Sequence, residues 1–153
     1  MGNYIVASSP VLTAITTEGD ITNKAKAAGD QLKNNIVYGT AAAATGVATV
    51  AATHLTAKYN PVKDTLVKIV DGTAKTTGKG LAKLFPKLKP ALQKVGKDFA
   101  KIPGLAKAVG AIMMAGSSLI SIIAHQRIYN SGKIDQKYEN LAKLKNKATQ
   151  TLE

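Results

Sequence analysis

Nineteen consecutive residues, Ala108–Gln126 (AVGAIMMAGSSLISIIAHQ), carry no charge and are fenced by Lys107 and Arg127. Wound as a helix they cover about 28 Å, close to the roughly 30 Å of a bilayer's hydrocarbon core. No other stretch of the chain fits that thickness so well, and it sets the reading of everything around it. The segment starts behind Ile102-Pro103-Gly104, and its Ser117, Ser118 and Ser121 can return their hydroxyls to the backbone, which keeps them tolerable in lipid. Ala108, Ala111 and Ala115 recur at three and four, a narrow face for close helix packing. Tyr129, just past the basic end, is placed as an interfacial anchor.

A second uncharged stretch, Asn34–Ala57, follows a helical segment. Ile21, Ala25, Ala28, Leu32 and Ile36 step by four, three, four and four, so they share one helix face, with Asp20 as its N-cap. Tyr38 and Tyr59 bracket the apolar part, about 31 Å apart at helical rise, where an aromatic belt lies. Its interior is Ala and Thr rather than Leu and Ile, so it is a marginal span that needs a partner helix. Ala42 and Gly46 offer a small-residue face for one. The alternative is an Ala-rich helix buried in a soluble bundle.

Between these stretches the material changes. Residues 58–107 hold twelve lysines against three aspartates, a net of +9 (12 − 3) out of +12 for the chain. Pro61–Val70 reads as a short helix opened by its proline, and Gly72–Gly80 as a Gly/Thr/Lys linker. Leu81, Leu84, Phe85, Leu88, Leu92, Val95, Phe99 and Ile102 then form an apolar stripe, broken by Pro86 and Pro90. Lys83, Lys87, Lys89, Lys94, Lys97 and Lys101 occupy the intervening positions. A segment of this kind lies in the headgroup plane of a membrane or packs its stripe on neighbouring helices, and Lys83, Lys87, Lys89, Lys94, Lys97 and Lys101 with Leu84, Phe85, Leu88 and Phe99 form the expected lipid- or partner-binding set. Of the 21 basic residues only Arg127 is arginine. Lysine lacks the planar fork that reads base edges, so diffuse anionic surfaces suit this set better than sequence-specific recognition.

Asn130–Gly132 reads as a break, followed by a basic amphipathic tail with Ile134, Tyr138, Leu141 and Ala148 on one side. The expected organisation is a segment 1–19, a helix 20–58, a Lys-rich connector 59–103, an apolar helix 104–129 and a tail 130–153. The fold class is all-α: a helical hairpin of two apolar, transmembrane helices joined by a basic amphipathic helical segment, with a C-terminal amphipathic helix. Residues 1–20 contain no Lys or Arg, so they lack the basic head of a secretory signal and the arginines of a presequence. Val6 occupies the place where myristoylation of Gly2 needs Ser or Thr.

Catalytic constellations are not legible. Cysteine is absent, and His54 and His125 each stand without a second ligand at helical spacing. Gly72–Gly80 has five residues between Gly72 and Gly78, and Gly80 after Lys79, so it fails the phosphate-loop pattern. No carboxylate or lysine lies within either apolar stretch, the usual mark of an ion pathway. The expectation is a non-enzymatic integral membrane protein with no cofactor and no metal, a structural or accessory subunit whose partners are anionic lipid and other protein subunits, homo- or hetero-oligomeric. The loop 59–103 belongs on the cytoplasmic or interior side. Two alternatives use the same features: a membrane-inserting, pore-forming, holin-like or virion protein, and a soluble Lys-rich packaging protein that binds nucleic acid through phosphates.

Overall fold

The computed structural model describes residues 9–151, and the described residues are helical with no strand. The expectations for Gly2 and Tyr4–Ala7 fall outside the described residues. Helix α1 is Pro10–Thr16, α2 Ile21–Lys58, α3 Asn60–Leu84, α4 Lys89–Ala100 and α5 Gly104–Gln150, with a 3-10 turn at Pro86–Leu88.

Each break has a local cause. Gly19 sits at φ +105° between α1 and α2, a conformation that L side chains rarely adopt. Asp20 then accepts the Asn23 backbone N–H on Oδ1 at 2.8 Å and caps α2. Tyr59 is extended, and Pro61 stands in the first turn of α3. Phe85, before Pro86, leaves the helical region at φ −128° and ψ 75°, and Pro90 stands in the first turn of α4.

Two expected breaks are absent. The segment Gly72–Gly80 is the interior of α3, not a linker, so the helix starting at Asn60 runs on well past Val70. Three glycines weaken a helix by roughly 0.5–1 kcal/mol each relative to alanine but do not stop it, and Thr76 Oγ1 donates back to the Gly72 carbonyl at 2.9 Å. Likewise α5 passes straight through Asn130–Gly132, so there is no separate tail. The polar residues there are used sideways: Asn130 Nδ2 donates to Tyr38 Oη at 2.6 Å, and Ser131 accepts from Gln31.

The chain divides into two compact units, one of Met1–Thr45 with Leu119–Glu153 and one of Gly46–Ser118. In the first, α2 and α5 run antiparallel along a polar seam. Asn23 Nδ2 donates to the Tyr138 carbonyl at 3.2 Å, Gln31 Nε2 to Ser131 Oγ at 2.6 Å, and Asn34 Nδ2 to the Arg127 carbonyl at 3.1 Å. Arg127 Nε in turn donates to Asn35 Oδ1 at 2.9 Å. Asn23, Gln31, Asn34 and Ser131 are buried, whereas the apolar face Ile21, Leu32 and Ile36 is exposed, Ile21 to 86%. The amphipathic face of α2 therefore points outward, opposite to the arrangement in a water-soluble bundle.

In the second unit, Gly116 of α5 is buried against Thr49 of α2. A Cβ at Gly116 would meet Thr49 Oγ1 at 2.2 Å and Cγ2 at 2.7 Å, so only glycine permits this approach. The connector is tied to α5 by Lys107, whose side chain is 7% exposed. It pairs with Asp71 of α3 at 2.8 Å and lies 4.8 Å from the ring centroid of Phe99 in α4. Val67 packs against Gly104 beside it.

Candidate functional site

The candidate surface comprises two uncharged helical windows and the basic connector. Both α2 and α5 are long and apolar enough to cross a membrane. The rest of the chain buries none of the most apolar stretch of α2 and 11% of that of α5. Val47, Val50, Leu55, Met113, Met114, Leu119 and Ile122 are all exposed. Fully covering seven such side chains contributes on the order of 10 kcal/mol, as much as the whole stability of an ordinary domain. A medium or a partner must therefore cover them.

Facing residues of the windows are small. Ala41, Ala42, Thr45, Gly46, Thr49, Ala52 and Thr53 are half-buried and Thr56 is buried, recurring at three and four along α2. Thr45, Thr53 and Thr56 each donate to the carbonyl four residues back, at 2.9, 2.9 and 2.8 Å, so their hydroxyls need no water. On α5 Ala108 is buried and Ala111 half-buried, but Ala115 is exposed and the seam passes through Gly116 instead. Sequence spacing finds the alanines, but not this closest approach.

The three tyrosines differ in setting. Tyr38 is half-buried and accepts from Asn130, so it belongs to the polar seam. Tyr59 is exposed with Lys58 Nζ 5.7 Å from its ring centroid, and Tyr129 is exposed with Lys133 at 4.4 Å. Both exposed rings thus carry a cation, a combination suited to headgroup depth.

In the connector, Lys83, Lys87, Lys89, Lys94, Lys97 and Lys101 are all exposed, and Lys101 pairs with Asp98 at 3.3 Å. Leu84, Phe85 and Leu88 are exposed as well, while Phe99 is half-buried beneath Lys107. The structure thus keeps the expected lysines and three of the four apolar residues on open surface, and uses Phe99 for packing.

The polar seam escaped sequence reasoning, although it has a signal. Asn23, Ala27, Gln31, Asn34 and Tyr38 step by four, four, three and four, and Arg127, Ser131, Asp135, Tyr138 and Ala142 do the same. Its electrostatics are asymmetric. Tyr138, 4% exposed, donates from Oη to Asp30 Oδ2 at 2.7 Å; this hydrogen bond, with Lys137 at 3.2 Å, holds the Asp30 carboxyl below the usual range. Burial pushes Asp135 upward, countered by the Gln31 amide at 3.3 Å. Gln31 Oε1 is buried without a hydrogen-bond partner.

His54 and His125 are exposed, and His125 Nδ1 lies 2.9 Å from the Ser121 carbonyl oxygen. Among the described residues no three His, Asp or Glu side chains converge to hold a metal ion. Comparison with known protein families, curated proteins and solved structures finds no match to this chain.

Proposed function

We propose that this protein is a non-catalytic structural or accessory subunit of a membrane-associated assembly, crossing the bilayer as a two-helix hairpin. The observation that carries the reading is the exposure of two uncharged windows whose ends come level with one another. Thr49 and Gly116 face each other, and each is eight residues from a window end, Ala57 and Ala108 (49 + 8 and 116 − 8). At the other end Asn35 meets Arg127, the charge that closes the second window. Lys58 and Lys107 thus close the two windows at one pair of ends, and Lys33 and Arg127 close them at the other. Nineteen residues separate Lys107 from Arg127 and twenty-four separate Lys33 from Lys58, about 28 and 36 Å of helix, lengths that suit lipid.

Charge sets the direction. Residues 58–107 carry +9, residues 1–33 are neutral (three basic, three acidic), and residues 125–153 carry +3 (six basic, three acidic). Lys-rich short loops stay on the cytoplasmic side or its equivalent, so the connector faces the cytoplasm or a particle's interior. Before the first window, Ile21 and Leu32 remain exposed among Lys24, Lys26 and Lys33, too close to charge for lipid. Another protein subunit suits that face, which supports an assembly role. The absence of any carboxylate or lysine from the windows supports a structural rather than a transporting role.

Fractionation tests the proposal. Membranes from expressing cells are washed with alkaline carbonate and with high salt, then extracted with detergent. The protein is expected to stay in the pellet through both washes and to leave only with detergent. Recovery as a dispersed particle in detergent-free buffer overturns the reading in favour of a soluble oligomer or a nucleic-acid-bound protein.

A further inference from the structure

The connector has an apolar face that the chain covers only in part, at the half-buried Leu92 and Phe99. Leu84 is 72% exposed and Val95 64%, with Phe85 and Leu88 between them also open. In α4 the residues turn about 100° each, so Leu92, Val95 and Phe99 fall within an arc of about 60°, and Lys94 and Lys97 lie on the opposite side, with the N-cap Leu88 on the apolar side and the C-cap Lys101 on the basic one. Lys87 and Lys89 flank Leu88 at the turn. Such a segment, apolar on one side, cationic on the other and short, matches a helix lying in the plane of a membrane interface.

We propose that the segment 84–99 docks on the headgroup and upper acyl region of an anionic phospholipid surface, with Leu84, Phe85, Leu88 and Val95 inserted. Charge complementarity selects this occupant: the connector carries a net +9, and each lysine near an anionic leaflet strengthens partitioning roughly fivefold. The attachment of the segment favours it as well. Lys107, at the edge of the second window, is clamped to Asp71 and capped by Phe99, which holds α3 and α4 beside the end of the uncharged stretch. A surface so close acts at high effective concentration. The location of the bilayer rests on the membrane reading above, while the docking itself is a separate claim.

The chain has no tryptophan, so a single one is a clean reporter. Val95→Trp and Gln93→Trp, about 200° apart on α4, are each placed in the full chain and reconstituted into nanodiscs. Discs of phosphatidylcholine with phosphatidylglycerol are compared with phosphatidylcholine alone. In the anionic discs Val95→Trp is expected to shift to the blue and to be quenched by brominated acyl chains, and Gln93→Trp to remain water-like. Salt at about 1 M, where the Debye length falls to about 3 Å, should reverse the shift. Adding Lys87→Gln and Lys89→Gln should weaken the anionic-lipid dependence roughly twenty-five-fold. A Val95→Trp that stays water-like in anionic discs, in a sample that resists carbonate, overturns the docking and leaves the spans standing. Equal shifts in neutral discs overturn the anionic selectivity. A response of Gln93→Trp to added nucleic acid with none of Val95→Trp to lipid assigns the lysines elsewhere and overturns it too.

Discussion

At position 116 a hydrogen atom stands where any other residue would put a Cβ, within 3.0 Å of three Thr49 side-chain atoms. Gly116→Ala must therefore separate the helices or force Thr49 off its rotamer. A loss of about 1–3 kcal/mol is expected, read as a lower melting temperature in detergent, with Thr49→Ala restoring part of it. Gly116→Ala with wild-type stability would remove this contact from the account. Asp30 makes a second prediction. Its carboxyl is held below its ordinary value of 3.8, so its contribution is complete above that value and is lost as the pH falls through the lower folded value. Asp135 has the opposite sign: burial raises it, and protonation relieves its cost as the pH falls. Melting measured from about pH 7 to about pH 3 should show an acid loss that Asp30→Asn diminishes. Spacing made the seam's members recognisable as one face, because Asn23, Gln31 and Asn34 keep the same period as Ile21, Leu32 and Ile36. Period cannot say which face turns inward. That depends on what lies against each face, and here Asn23, Gln31 and Asn34 pair with α5 while Ile21, Leu32 and Ile36 stay exposed.

Among the elements, α3 and α5 run through sequences rich in turn residues. Gly72, Gly78 and Gly80 all have open space where a Cβ would go. Gly72→Ala and Gly80→Ala should each stabilise α3 by about 0.5–1 kcal/mol, seen as slower amide hydrogen exchange across residues 60–84. A flexible linker at those positions would show no such slowing. The helix survives its glycines because the flanking turns are helical and nothing there requires a positive φ. In α5, Asn130 and Ser131 look like a stop until their partners on α2 are known, and partners a hundred residues away are not legible locally. The break at Pro86 was legible, since a proline disfavours the helical conformation in its predecessor, and Phe85 leaves the helix there, whereas Lys89 before Pro90 stays helical at the start of α4. The seam residue Gly116 was not, since the neighbouring Ala115 satisfies the same small-residue pattern.

For the molecule as a whole, the windows were found by composition alone, while their alignment required coordinates. Nothing in either stretch states that Thr49 faces Gly116 or that Asn35 meets Arg127. The proposed hairpin follows from those pairings together with the exposed side chains of both windows, and detergent-only release from membranes is the outcome that belongs to this scale. The polar seam has a consequence here. Gln31, Asn34, Asn35 and Tyr38 each engage a different group on α5, at Ser131, Arg127 and Asn130. Sliding one helix past the other by a single turn would strand them all at once, so the pair has one setting, like a key cut for one lock. The seam thereby works as a ruler, fixing how far along α5 the start of α2 is set.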